Sequence, residues 1–207
     1  LTNFTDWTAS SLSKNFKDKH LKGMESQLMK QLAEKMLRGD YNSAYLLQSY
    51  KPIPSNKVLE QQLKLTNGYR RYKNITGVYM EAGENVVLVG DLHGRTVGLL
   101  IPDWMRQPTL GYQPTKDPEG WGLKKQEILL HEGVNVINVK KAGNVYVDYF
   151  ADDPDTAPAV TIHFVTGKVN GYFDATVQSN EDLNRLLDNA VSPVMYVKGK
   201  YIQLAYP

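Results

Sequence analysis

Between Ile128 and Phe150 the chain reads ILLHEGVNVINVKKAGNVYVDYF, and this stretch constrains the fold more than any other. It predicts three short strands: Ile128–Leu130, Val134–Val139 and Val145–Phe150. Gly133 and the Ala142-Gly143-Asn144 group supply the turns. Val134 and Val136, then Val145 and Val147, alternate with polar or small neighbours, which is the two-residue period of a half-buried strand. A meander of this kind has to bury one face against a second sheet. The flanking segments are expected to provide that sheet. The fold class predicted is mainly β: a jelly-roll-like β-sandwich with an N-terminal helical extension and a C-terminal helix plus hairpin.

In chain order, residues 1–22 are polar and aperiodic and predict a mobile or loosely docked lead-in. Gly23–Arg38 is a predicted helix, with Met24, Leu28, Leu32 and Met36 on one face. Gly39 is its expected stop. Tyr41–Leu47 predicts a second short helix, and Lys51-Pro52-Ile53-Pro54 an extended link. Ser55 is an N-cap for a third helix through Lys64, with Val58, Leu59 and Leu63 as its buried side. Strands dominate after Thr66. Ile75–Met80 and Asn85–Val89 flank Glu81-Ala82-Gly83-Glu84 as a predicted hairpin, and Arg95–Ile101 is a further strand. Ala159–Val165 and Val169–Phe173 form another predicted hairpin. Asn180–Asn189 reads as a helix, followed by strands Val194–Val197 and Tyr201–Ala205. The expected organisation is a helical lead-in over 1–65, a sandwich over 66–175, and a helix and hairpin over 176–207.

Composition narrows the chemistry. Formal net charge is only +2, and no basic stripe is interleaved with aromatics, so nucleic acid is not an expected partner. With no cysteine, neither a disulfide framework nor thiolate chemistry is available. No apolar run reaches the roughly 18 residues of a membrane span. The chain begins at Leu1 without a signal peptide, as expected of a trimmed or mature fragment.

Four histidines are candidates for chemistry: His20, His93, His131 and His163. His131-Glu132 opens like the HExxH zinc motif, which needs a second histidine four residues on. Position 135 is Asn135, and the surrounding pattern is β, so no metal ligands are assigned. His163 lies in a strand, facing opposite to Ile162 and Phe164. Asp91 and His93 could pair as a general base, but no serine or cysteine nucleophile is positioned by a local motif. Asp152, Asp153 and Asp155 form an acidic loop of the kind that suits calcium, without an EF-hand pattern. No catalytic residue is assigned in this chain, so it is not expected to be an enzyme by itself.

The segment from Pro102 to Lys125 is long for a loop, and such loops are commonly functional. It carries Trp104, Tyr112 and Trp121, the candidate carbohydrate-binding residues, since large aromatics can stack on the apolar faces of sugars. The competing expectation is that the tryptophans fold back as plugs of the sandwich edge.

From Ile75 onward the order of features resembles a known family. Thr76-Gly77-Val78-Tyr79 and Ala82-Gly83-Glu84 are followed by Arg106-Gln107-Pro108. Then come LHEGVNVIN at 130–138, AGNVYV at 142–147 and VTIHFVTGKVNGYF at 160–173. This resembles the non-catalytic β-rich region preceding the zinc domain of enhancin-like, mucin-degrading metallopeptidases. The lead-in with Tyr50–Ser55 is similar to the form in gut Bacteroidetes members. The resemblance implies an extracellular or outer cell-surface protein acting on mucin-type glycoproteins. In such a protein this chain would scaffold its own catalytic domain and engage glycan or glycoprotein substrate. Zinc is expected only in that absent catalytic domain, and no cofactor in this chain. The alternative is a free-standing carbohydrate-binding or adhesin module.

Overall fold

The computed structural model describes residues 2–64, 73–103 and 125–207. Helices α1 (Asp18–Leu21), α2 (Gln27–Arg38) and α3 (Ser43–Leu46) lead into strands β1 (Leu47–Tyr50) and β2 (Ile53–Pro54), then helix α4 (Asn56–Leu63). The strands β3 (Asn74–Met80), β4 (Gly83–Val89), β5 (Val97–Pro102), β6 (Lys125–Leu129), β7 (Gly133–Val139), β8 (Gly143–Ala151) and β9 (Val160–Phe164) follow. The chain closes with β10 (Lys168–Val169), β11 (Phe173–Asp174), α5 (Asn180–Asp188), β12 (Met195–Lys198) and β13 (Gln203–Tyr206).

Two sheets face each other as a β-sandwich. One runs β1-β9-β4-β7; the other runs β10-β3-β8-β5-β6, with β2 paired in parallel to β8. Most of the predicted strands are present, but Val169–Phe173 is broken into β10 and β11, which lie in different sheets, and the pairing differs from the expected meander and hairpins. β7 pairs with β4 in the first sheet, while β6 and β8 lie in the second. Likewise β3 and β4 occupy different sheets, as do β9 and β10. The turns Glu81-Ala82-Gly83-Glu84 and Thr166-Gly167-Lys168 therefore carry the chain across the sandwich rather than back along one sheet. β1 was not foreseen; it follows directly on α3 and pairs with β9 from Leu47 opposite His163 to Tyr50 opposite Val160.

Alternation along each strand sorts side chains between layers. Val78, Met80, Val97, Leu99, Val145 and Val147 point into the central core from the larger sheet. They meet Val87, Val89, Ile137, Val139, Ile162 and Phe164 from the smaller one. The opposite parity is buried as well. Leu88 packs outward into a second cluster with Phe4, Phe16, Leu21, Leu32 and Ala33. Ile75, Leu100 and Tyr146 pack outward into a third with Val194 and Tyr196. β8 is thus buried on both faces around Val145–Val147, not half-buried as its valine alternation predicts.

The first 22 residues are accordingly docked, not loose: Phe4, Ala9, Phe16 and Leu21 are buried against the smaller sheet. Helix α2 begins at the Ser26 N-cap, whose hydroxyl accepts the Met29 N–H, and ends at Gly39 with φ +75°. Ser55 caps α4 as expected, yet α4 buries none of its residues, and Leu63 is half exposed. Gly77 adopts φ +73° where β3 is bulged, and a Cβ there would sit 2.5 Å from the Tyr45 ring.

Candidate functional site

The histidine and acid groups noted in the sequence are held by local structure. Asn135, buried, accepts the His131 N–H at 3.0 Å and donates to the His131 carbonyl at 2.7 Å. It locks the turn that Gly133 makes at φ +85°. Glu132 accepts the Leu92 N–H at 2.9 Å. His93 adopts φ +53° and its N–H donates to Asp91 at 2.6 Å, an Asx-type turn rather than a base poised over a nucleophile. Asp153 takes a two-pronged pair from Arg95 at 2.8 and 2.9 Å, and Asp152 accepts from Ser55 and Lys57. These partners hold both carboxyls below the usual range: chiefly the Arg95 hydrogen bond for Asp153, and the Ser55 hydrogen bond for Asp152. Two of the three acids of the 152–155 acidic loop are thereby spent on side-chain partners, in keeping with a solvated turn. Trp104, Tyr112 and Trp121 lie outside the described residues.

A groove of about 500 Å³ lies elsewhere. Three separate stretches build it. The β1–β2 connection contributes Tyr50 and Lys51, the start of β3 contributes Lys73 and Asn74, and the β12–β13 turn contributes Lys198 and Lys200. Tyr172 completes the lining, and Pro52, Ile53 and Ile75 give it apolar surface. The wall formed by β13 is fixed by a reciprocal pair. Gln203 accepts the Lys73 N–H at 3.1 Å and donates to the Lys73 carbonyl at 2.8 Å. Behind this wall Tyr146 and Tyr196 stack with ring centroids 4.6 Å apart, joining β8 to β12. Burial pushes the Tyr146 phenol up to about 12.

Four lysines line the groove and no carboxylate does. Lys73 is paired with Asp148 at 2.8 Å and Lys198 with Asp174 at 3.0 Å. Lys51 and Lys200 have no carboxylate partner among the described residues; Lys200 sits 5.1 Å over the Tyr201 ring. Tyr50 is 5% exposed, and its hydroxyl is buried without a hydrogen-bond partner. Burial raises its pKa, with a smaller push from Tyr172. Beside this groove, sharing Gln48 and Ser49, lies a shallower depression of about 440 Å³ edged by Trp7. No motif marked these residues in the sequence, because they come from positions 48–53, 73–75, 172 and 198–203.

Comparison with known proteins bears on the fold. No protein-family model matches the chain, and no curated protein matches its sequence. Among solved structures, 99% of the chain superposes on a metallopeptidase from Bacteroides thetaiotaomicron with a TM-score of 0.79 and 23% identity. A metallopeptidase in complex with the Tn antigen matches 81% of the chain with a TM-score of 0.63 and 23% identity. A Clostridium perfringens ZmpB structure of CBM32-1, CBM32-2 and M60 catalytic domains matches 97%, with a TM-score of 0.63 and 14% identity. The likeness is one of fold. The chain spans 34%, 30% and 23% of those three chains respectively.

Because these neighbours are metallopeptidases, the histidines and acids of this chain bear testing against a zinc ion. Zinc takes three or four ligands drawn from His, Cys, Asp and Glu. Among the described residues no group of three or more could hold a metal. Asn135, in the place of a second zinc histidine, is committed to the turn at His131. The described residues do not fit the ion.

Proposed function

We propose that this chain is the non-catalytic region of an enhancin-like (M60-type) zinc metallopeptidase that is secreted or held at the cell surface. It scaffolds the protease and engages mucin-type glycoprotein substrates. The observation carrying this reading is that almost the whole chain finds its counterpart in about a third of a metallopeptidase. Neighbours described in complex with the Tn antigen and the sialyl T antigen support glycoprotein as the substrate class. Among the described residues no helix is long and apolar enough to cross a membrane.

The sequence encoded after Pro207 tests the scaffold role. An HExxH motif is expected there, and a stop codon would overturn this role in favour of a free-standing binding module. Substrate engagement is tested on the immobilised chain, which is expected to retain mucin. In this reading the 102–125 segment contributes, so Trp104→Ala and Trp121→Ala each weaken retention without lowering the melting temperature. Loss of folding in either variant would assign that tryptophan to the core instead.

A further inference from the structure

We propose that the outward face of β13, where Ile202, Leu204 and Tyr206 form a row beside Tyr201, is the surface on which the polypeptide following Pro207 docks. This rests on the reading that the chain scaffolds a protease domain, and it names the surface that does so.

Parity along the strand defines the stripe. Successive side chains point to opposite faces of a sheet, and residues opposite each other in an antiparallel pair share a face. Ala205 lies opposite Tyr196 and packs with it against the larger sheet. Gln203 turns the same way to hold the Lys73 backbone. Leu204 and Tyr206 therefore point away from the sandwich, 45% and 69% exposed, with Ile202 at 54% and Tyr201 at 80% just before them. Helix α5 touches β11, at the opposite end of this three-stranded sheet from β13.

Apolar surface gathers in this part of the molecule. Seven of the thirteen exposed large apolar side chains among the described residues lie between positions 177 and 206. Elsewhere the outer faces are covered: the lead-in packs over Leu88 on the smaller sheet, and Val194 and Tyr196 pack over Tyr146 on the larger. β13 is an end strand, and from Ile202 to Tyr206 it carries no charged residue. Native proteins blunt an open edge with charge or cover it with another part of the molecule, because an apolar edge recruits other chains. β13 lacks the charge, which leaves the cover.

The continuing chain fits this stripe better than a second copy does. Free molecules associate stably through about 20–30 residues a side, far more than one strand and its flanking tyrosine supply. A tethered domain meets the stripe at an effective concentration in roughly the millimolar range, so a small apolar contact suffices to hold it. The stripe runs directly into Pro207, from which such a domain would lead. In the matched metallopeptidase from Bacteroides thetaiotaomicron this fold makes up 34% of the chain, so most of that protein lies outside it.

Hydrogen–deuterium exchange is measured on the 207-residue chain and on the protein extended by the sequence encoded after Pro207. In the extended protein the backbone amides of Gln203–Tyr206 are expected to exchange at least about tenfold more slowly. Leu204→Asp and Tyr206→Asp should each abolish that difference, and so should Leu204→Thr combined with Tyr206→Thr, which keeps residues suited to a strand. None of these variants should move the melting temperature of the 207-residue chain, because the side chains are exposed there. Leu129→Asp, at a 72% exposed position on β6, should leave the difference intact. Its loss in Leu129→Asp as well overturns the location. Equal exchange in both proteins overturns the docking surface, while an HExxH domain in the extension leaves the scaffold role standing. A stop codon after Pro207 overturns that role and this assignment with it. A lower melting temperature of the 207-residue chain in every β13 variant makes these side chains structural and overturns the proposal. A dimer of the 207-residue chain in sedimentation that Leu204→Asp disperses gives the stripe to a second copy and overturns the continuing chain as its occupant.

Discussion

A single histidine shows how the lead-in is attached. His163 is fully buried on the outer side of β9, between Ile162 and Phe164, which face the central core. Its Nδ1–H donates to the Thr8 carbonyl at 2.6 Å, and its Nε2 accepts from the Tyr41 hydroxyl. One neutral imidazole thus joins the first residues, the segment after α2 and the sheet. Burial holds it below the ordinary value of 6.5, against the smaller upward pull of the Thr8 carbonyl and the Asp6 carboxylate. A depressed histidine pKa means that the unfolded chain binds a proton where the folded chain does not. The stability it contributes is complete above about pH 6.5 and declines as pH falls below that value. Melting temperature should therefore drop between pH 7 and pH 5. His163→Gln should be less stable at pH 7 by about 2–4 kcal/mol, yet show a flatter pH slope. An unchanged slope in that variant would remove His163 as the source.

At the level of elements, α2 tests how the smaller sheet is covered. Leu32 and Ala33 are buried against the sheet, while Leu37 is 38% exposed. Leu32→Ala is expected to cost about 3 kcal/mol and Leu37→Ala under about 1 kcal/mol, measured by urea unfolding. Equal effects would mean that the helix does not pack in solution as it does here. The helix itself was legible because its apolar spacing, cap and stop are all local. The sandwich was legible for the same reason: period-two alternation in β7 and β8 declares strands, although in β7 Val134 and Val136 face outward and Asn135, Ile137 and Val139 are the buried side. Partner choice was not legible, because it is set by contacts distant in sequence. Nothing in Glu81-Ala82-Gly83-Glu84 says that the strand after it joins β7 and β9 rather than β3. Burial of β8 on both faces depends on Tyr196, fifty residues downstream of Tyr146. The lysine groove was illegible for the same cause, being assembled from short stretches that carry no motif individually.

For the whole molecule, the question is whether lead-in, sandwich and C-terminal elements fold as one unit. The boundaries read from composition, at 65 and 175, both fall where described contacts cross. β1 belongs to the smaller sheet through β9, and β2 pairs with β8. β11, just before residue 175, pairs in parallel with β12, just beyond the helix that follows. The third cluster then fastens β12 to the larger sheet through Tyr146 and Tyr196, and Asn144 donates to the Val194 carbonyl at 2.7 Å. Contacts that extensive couple the layers, so calorimetry of the full chain is expected to show one transition, with equal calorimetric and van't Hoff enthalpies. Tyr196→Ala removes a buried ring from the junction and should destabilise by about 3–5 kcal/mol. In a single cooperative unit that loss lowers the one transition as a whole. If the C-terminal layer is instead independent, Tyr196→Ala will split off a low-temperature transition and leave the main one in place. The wall of the groove would then open before the sandwich melts, because Lys198, Lys200 and Gln203 all belong to that layer.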